Sequence, residues 1–337
     1  MKVAVIGAGS WGTTVASMLA PRTETVLWAR RPELAGSIEA GTNPDYLPGF
    51  TLPGELSATT NLEQAVEDAD VIVMGVPSHG FRAVLEQAAP LIRPDLPIVS
   101  LSKGIEQETL MRMTEVTADV LPGHDRSHIG VLTGPNLARE IMAGQPAASV
   151  VAMEDDATAR DLQSLFMDRS FRVYTNRDVI GAESAGALKN VMAIAAGMAE
   201  GLGFGLNTVS MLMTRALVEM SRLGHALGGN PVTFAGLAGM GDLIATCMST
   251  QSRNHRVGLG LGRGKDIDTI VSEMNMVAEG VKSTRGILDL ARRSDVEMPI
   301  AEQVGRVLYD DASVPEAIEI LMGRPPKPES AAAYRGV

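Results

Sequence analysis

Residues 1–20 read MKVAVIGAGSWGTTVASMLA, and they decide the fold of the first half of the chain. An apolar run at 3–6 leads directly into Gly7-Ala8-Gly9-Ser10-Trp11-Gly12, and residues 13–19 then carry helical spacing. A G-x-G-x-x-G pattern has weight only between a strand and a helix, which is where it stands here. Gly7 permits the tight turn, Gly9 lets backbone approach a pyrophosphate, and Gly12 lets helix and strand pack closely; the helix N-terminus attracts the phosphate charge. The same residues superficially match a secretory leader, with one lysine, an apolar stretch and a small-residue end. Three glycines interrupt that stretch, so strand and turn is the better reading.

Outward from this turn, β-branched runs at 25–27, 71–76, 98–101 and 130–132 alternate with helical segments. That alternation is the signature of a parallel sheet covered by helices. Two more runs, at 148–152 and 172–174, extend the sheet. Residues 43–53, NPDYLPGFTLP, form a loop. Beyond residue 179 the pattern turns helical, with segments at 183–200, 208–227 and 243–248. The expected architecture is α/β: an N-terminal Rossmann-type doubly wound sheet over residues 1–178, an all-α C-terminal domain over 179–323, and a flexible tail over 324–337.

Composition narrows the function. With 337 residues, 45% of them hydrophobic, the chain has the material for about two globular domains. Only 4% are aromatic, which disfavours base stacking, and a net charge of −11 repels phosphate backbones. No nucleic-acid partner is expected, and any anionic ligand must be held by local cations. The single cysteine, Cys247, excludes an intrachain disulfide framework and a Cys-rich metal site. No metal is expected, a reducing cytoplasmic location fits, and no run of residues reaches a membrane span. The methionines of the helical half, such as Met192, Met198 and Met220, read as core filling.

Ligands of open α/β sheets lie beyond the carboxyl ends of the strands. The residues there are the glycine turn, Arg30-Arg31, Pro77-Ser78-His79, Ser102-Lys103-Gly104 and Thr133-Gly134-Pro135-Asn136. NAD-selective proteins usually place an acidic residue where this chain has Arg30 and Arg31. Paired guanidiniums suit a 2′-phosphate, so NADP(H) is favoured and NAD(H) remains admissible. Lys103 could serve both cofactor and substrate; His79 reads as a hydrogen-bonding loop residue.

In the helical half, Lys189-Asn190 interrupts a small-residue apolar helix. Gly186 and Ala193 leave space above the lysine, as in a substrate cavity. A lysine desolvated there would have its pKa lowered toward ~7–8 and could exchange a proton with an alcohol. Asp242 follows Gly239-Met240-Gly241 and precedes a helix, so it reads equally as an N-cap or as a site residue. Residues 251–256, QSRNHR, are the densest polar and basic cluster and the best candidate for a phosphate clamp. The adjoining GLGLGRGK, at 258–265, is no P-loop: Lys265 is followed by Asp and no strand leads in.

These stretches together carry a family resemblance: GAGSWGT at 7–13, VPSH at 76–79, SKGIE at 102–106, LTGPNLAREI at 132–141, ALKNVMAIAAGM at 187–198, GLAGMGDLIATC at 236–247 and QSRNHRVG at 251–258. In this order they resemble the bacterial NAD(P)-dependent glycerol-3-phosphate dehydrogenase family, with matches from Val3 to about Gly323. The resemblance implies reversible reduction of dihydroxyacetone phosphate to sn-glycerol 3-phosphate for glycerophospholipid synthesis, with Lys189 as proton acceptor or donor. It implies that Ser10, Trp11, Arg30 and Arg31 contact NADPH, that Ala138, Val277 and Glu279 are further cofactor positions, and that Lys103 and Arg253 meet both ligands. Gly134, Asn136, Lys189, Asp242, Ser252 and Asn254 match substrate positions; Asn136 stands where many members carry Ser or Thr. A homodimer is an assembly open to such a chain. The alternatives are a β-hydroxyacid or 6-phosphogluconate-type dehydrogenase, and a non-catalytic NADP(H)-sensing protein.

Overall fold

The computed structural model describes residues 1–274, 278–326, 328 and 329. It divides into two units. The first comprises Met1–Lys103 and Met111–Val179, the second Gly104–Leu110 and the chain from Ile180 onward.

The first unit holds one sheet of eight strands: β1 (Lys2–Ile6), β2 (Glu24–Trp28), β3 (Ser57–Thr59), β4 (Val71–Met74), β5 (Ile98–Ser100), β6 (Ile129–Thr133), β7 (Ala147–Ala152) and β8 (Phe171–Asn176). Their order is β3-β2-β1-β4-β5-β6-β7-β8. Every neighbouring pair is parallel except β6 and β7. The helices are α1 (Ser10–Leu19), α2 (Pro32–Glu39), α3 (Leu62–Val66), α4 (Ser78–Ala88), α5 (Met113–Val120), α6 (Ala138–Met142) and α7 (Asp156–Phe166). Along β1, Val3 and Val5 enter one apolar core while Ala4 and Ile6 enter another. Successive side chains on a strand point to opposite faces, so two cores mean that both faces are covered, as a doubly wound sheet requires. The chain leaves β1 for β2 on one side and reaches β4 on the other, so the strand order reverses at β1, where such sheets bind ligands.

Two features depart from the sequence pattern. β3 is a three-residue edge strand, Ser-Ala-Thr, with none of the apolar alternation that marks a strand. β7 runs antiparallel to β6: the connection between them carries only the five-residue α6, and antiparallel neighbours do not need the long crossover of parallel ones.

The second unit is helical: α8 (Val179–Gly201), α9 (Leu206–Ala226), α10 (Pro231–Phe234), α11 (Asp242–Met248), α12 (Arg253–Gly262), α13 (Ile267–Ser272), α14 (Glu279–Arg293), α15 (Pro299–Tyr309) and α16 (Val314–Met322). Residues 181–199 of α8 are buried on every side, so α8 is the central helix of this unit. It meets α12 through glycines. A Cβ on Gly258 would lie 2.0 Å from the Ile194 carbonyl oxygen, and one on Gly197 would lie 2.1 Å from that of His255. The glycine-rich stretch after residue 257 therefore serves backbone contact between two helices. The apolar stretch Pro231–Met248, mean hydropathy 1.3, is broken into α10, a π-helical turn at Leu237–Gly241 and α11, and 44% of it is buried within the fold. Of the tail expected to be flexible, residues 327 and 330–337 lie outside the described residues.

Candidate active site

In the first unit the three glycines separate by role. Gly7 has φ +117°, and a Cβ there would fall 2.7 Å from the Gly75 carbonyl carbon. On Gly12 a Cβ would fall 2.0 Å from the Gly7 carbonyl oxygen. Gly9 differs: nothing lies within 4 Å of its Cβ position, so the turn is open at this residue. Gly9 is also the N-cap of α1, with no side-chain cap and no acidic residue in the first turn. Backbone donors and the positive end of a ten-residue helix face this gap, and a pyrophosphate fits them. Ser10 and Trp11 open α1. Ser10 Oγ donates to the Tyr46 carbonyl at 2.9 Å, and Trp11 packs on Phe171 with ring centroids 6.0 Å apart. The indole Nε1 of Trp11 is buried and has no partner among the described residues.

Arg30 and Arg31, at the end of β2, are both exposed and differ in company. Arg31 is paired with Asp45, which raises its pKa; Arg30 makes no hydrogen bond or ion pair among the described residues. Beyond the later strands, Lys103 Nζ donates to the Gly134 carbonyl at 3.0 Å, which brings two of the expected residues together. Asn136 donates through Nδ2 to Ser149 Oγ at 3.1 Å, while its Oδ1 is buried without a partner among the described residues. Ala138 is the first residue of α6.

In the second unit, Lys189 is 5% exposed. Its Nζ lies 3.1 Å from Asp242 Oδ1 and donates to Thr246 Oγ1 at 2.5 Å. Thr246 in turn donates to the Asp242 carbonyl at 2.6 Å, one turn back along α11. The lysine is not desolvated alone, because a carboxylate supplies its counter-charge. Asp242 is also not an N-cap: it is the first residue of α11 and makes no capping bond, since the π-helical turn before it already continues the helix. Cys247, beside this pair, is a core thiol whose pKa burial pushes up to about 12.

Ser252, Arg253 and Asn254 open α12. Ser252 is its N-cap, accepting from the His255 N–H at 3.2 Å, and no acidic residue occupies the first turn. The cluster therefore joins a helix N-terminus to an exposed guanidinium, a combination that suits an anion. Asn254 is 8% exposed and is used within the fold: Nδ2 donates to Asn190 Oδ1 at 3.0 Å and Oδ1 accepts from the Gly280 N–H at 2.9 Å. It ties α8, α12 and α14 together. Glu279 is the first residue of α14, and Val277 lies outside the described residues.

Three residues escape the sequence reading, and a fourth, Asn190, is quoted there without a role. Gly75 supplies the backbone against which Gly7 packs, and it ends β4 before the 76 expected for that strand. Asn43 is fully buried and donates to the Ala8 carbonyl at 3.1 Å and to Thr13 Oγ1 at 2.8 Å, fixing the 43–53 loop to the glycine turn. Thr246 and Asn190 hold Lys189 and Asn254. Only the small-polar composition of their neighbourhoods hints at them; their partners are far away in sequence.

A Rossmann unit with an open glycine turn, carried with a helical unit that buries a Lys–Asp pair, defines the class: a nicotinamide-dinucleotide oxidoreductase with a helical second domain. Residues 2–159 match the N-terminal domain described as NAD-dependent glycerol-3-phosphate dehydrogenase N-terminus, and residues 178–319 match the corresponding C-terminus. A Sphingopyxis alaskensis protein named glycerol-3-phosphate dehydrogenase [NAD(P)+] 2 is 56% identical over 305 residues, 90% of this chain and 91% of the relative. A Mycobacterium avium protein named glycerol-3-phosphate dehydrogenase [NAD(P)+] is 52% identical over 327 residues, 96% of this chain and 95% of the relative. The crystal structure of glycerol-3-phosphate dehydrogenase from Coxiella burnetii superposes with a TM-score of 0.91 at 37% identity, covering 96% of this chain and 99% of that one. The chain belongs to the NAD-dependent glycerol-3-phosphate dehydrogenase family. It is an oxidoreductase using NAD(P), and family membership disposes of the hydroxyacid and sensor alternatives.

Proposed function

We infer that in this NAD(P)-dependent glycerol-3-phosphate dehydrogenase Lys189, as the ammonium, protonates the carbonyl oxygen of dihydroxyacetone phosphate while carbon 2 is reduced, giving sn-glycerol 3-phosphate for glycerophospholipid synthesis. The reduced nicotinamide, when bound, supplies the hydride. The observation that carries this reading is the buried ammonium at 3.1 Å from Asp242 and 2.5 Å from Thr246. Two acceptors fix its direction, and the carboxylate supplies a counter-charge beside the buried amine. In the reverse reaction the same amine receives the alcohol proton.

Arg253, with the N-terminus of α12 and the Ser252 hydroxyl, anchors the substrate phosphate. Asn254, already holding three helices, offers its remaining amide hydrogen. Lys103, Gly134 and Asn136 are further substrate positions; the Oδ1 of Asn136, buried and without a partner among the described residues, is suited to accept from a substrate hydroxyl. Gly7, Gly9, Gly12, Ser10 and Trp11 hold the cofactor, with Ala138, Val277, Glu279 and Arg253 as further contacts. Arg30 and Arg31 favour NADPH through its 2′-phosphate. The enzyme works in the cytoplasm, consistent with its lone, buried thiol, and as a homodimer, which light scattering on the purified chain checks.

Lys189→Ala tests the chemical role. Turnover of dihydroxyacetone phosphate, followed at 340 nm, should fall by about 10²–10⁴-fold, the usual contribution of a positioned proton donor, with NADPH affinity little changed. Near-normal turnover would overturn the assignment. Replacing Arg30 and Arg31 by Ser should raise the Kd for NADPH more than that for NADH; equal loss would argue against 2′-phosphate recognition.

A further inference from the structure

The ion pair at the end of β2 joins Arg31 to Asp45, and Asp45 is not a casually placed surface carboxylate. It sits in the 43–53 loop, whose placement the glycine turn itself dictates. Two residues before it, Asn43 donates to Ala8 and Thr13 and accepts from the Tyr46 N–H at 3.1 Å. One residue after it, the Tyr46 carbonyl accepts from Ser10 Oγ. Leu47, completely buried, pins the far side. The loop thus holds a carboxylate against one of the two arginines read as the 2′-phosphate anchor, while Arg30 makes no such pair among the described residues.

We propose that Asp45 is a specificity-determining residue: by occupying Arg31 it competes with a 2′-phosphate for that guanidinium and so limits how far the enzyme favours NADPH over NADH. This rests on the reading of Arg30 and Arg31 given above. The pair is half-exposed on both sides, 48% and 45%, so it opens at little cost. The phosphorylated cofactor must displace the carboxylate before Arg31 can bind it with two parallel hydrogen bonds. A cofactor with a free 2′-hydroxyl has no need of Arg31 and does not pay for the displacement. Asp45 therefore weakens one cofactor and leaves the other alone, a discrimination achieved through a competing group.

The test is calorimetric titration of the full-length protein with NADPH and NADH, for the wild type, Asp45→Asn, Arg31→Ser and the double variant. Asp45→Asn should lower the Kd for NADPH by about three- to fivefold, the most that opening an exposed ion pair returns, and leave that for NADH within about twofold. In the Arg31→Ser background the same substitution should leave the NADPH to NADH ratio unchanged. Asp45→Ala should reproduce the result, with melting temperature confirming that the loop stays folded. If Arg31→Ser selectively weakens NADPH while Asp45→Asn leaves the ratio unaltered, this inference fails and the 2′-phosphate reading stands. Equal loss of both cofactors in Arg31→Ser overturns both. A gain persisting without Arg31 would show a through-space charge effect and overturn the competition, and weakened NADH binding would make Asp45 a ribose-hydroxyl acceptor instead.

Discussion

Each unit of the molecule contains an ion pair that the proposed function draws on, and the two differ in exposure. The side chains of Lys189 and Asp242 are 7% and 2% exposed; those of Arg31 and Asp45 are 48% and 45%. Exposure decides what each can do. Separating a buried pair by removing one partner leaves a charge with no solvent to receive it, a loss of about 3–5 kcal/mol. An exposed pair is worth about 0–1 kcal/mol, because water replaces either partner. On the reading proposed above, the helical unit uses a pair that stays closed, so the proton donor keeps one direction. In the proposed recognition the sheet unit uses a pair that a ligand can open, so selectivity can be graded. Glu219 adds a third case, a carboxyl that is 4% exposed and is held by backbone N–H groups: Ile300 donates to its two oxygens at 2.9 and 3.1 Å.

Three experiments would break or sharpen this contrast. The largest effect is expected from Asp242→Ala, which strands the Lys189 ammonium. Unfolding in urea should show a loss of about 3–5 kcal/mol, and turnover should fall with it. Asp242→Asn, which keeps an acceptor, should recover part of that stability; stability unchanged in both variants would place the pair with the exposed class. Next is Thr246→Val, which removes the shorter hydrogen bond to Lys189 without changing side-chain shape. A loss of about 1.5–3 kcal/mol is expected for a buried bond to a charged group, with kcat reduced more than NADPH affinity, as judged by steady-state kinetics and cofactor titration. The third experiment concerns Glu219, where burial pushes the carboxyl up from 4.5 to about 7, against the opposing pull of the Ile300 and Ala301 N–H groups. A folded-state value above the unfolded one means that the native protein binds the extra proton, so stability falls as pH rises between these limits. Melting temperatures of wild type and Glu219→Gln should converge toward pH 4.5 and diverge toward pH 7, with the wild type the lower. Parallel curves would mean that Glu219 does not titrate in this range.

Legibility in the sequence followed the range of the interaction. The glycine turn, the strands at 3–6, 71–76 and 98–101, and the long helices around Lys189 and Val209 are set by spacing within a few residues, and local pattern exposes them. β3 was illegible because a three-residue edge strand depends on pairing with β2, not on an apolar face of its own. The glycines after residue 257 were visible, but their purpose was not: Gly258 and Gly262 lie against the Ile194 and Met198 carbonyls of α8, and Gly260 against the Ile270 side chain. Asp242 stood between two readings for the same reason. Its neighbours suggested a cap, and only the fold shows that the helical path is continuous through the turn before it.

By itself the sequence determined that this protein has a Rossmann-type sheet unit followed by a helical one, that a glycine turn joins its first strand to its first helix, and that a lysine interrupts an apolar helix. These are properties of backbone conformation and periodicity, which nearby residues fix. Only the tertiary structure decided which charges are shared: Asp242 and Thr246 for Lys189, Asn190 and Gly280 for Asn254, Asp45 for Arg31. The electrostatic energy of a side chain depends on what lies within a few ångströms and on how much water remains, and folding sets both for residues that the chain keeps far apart.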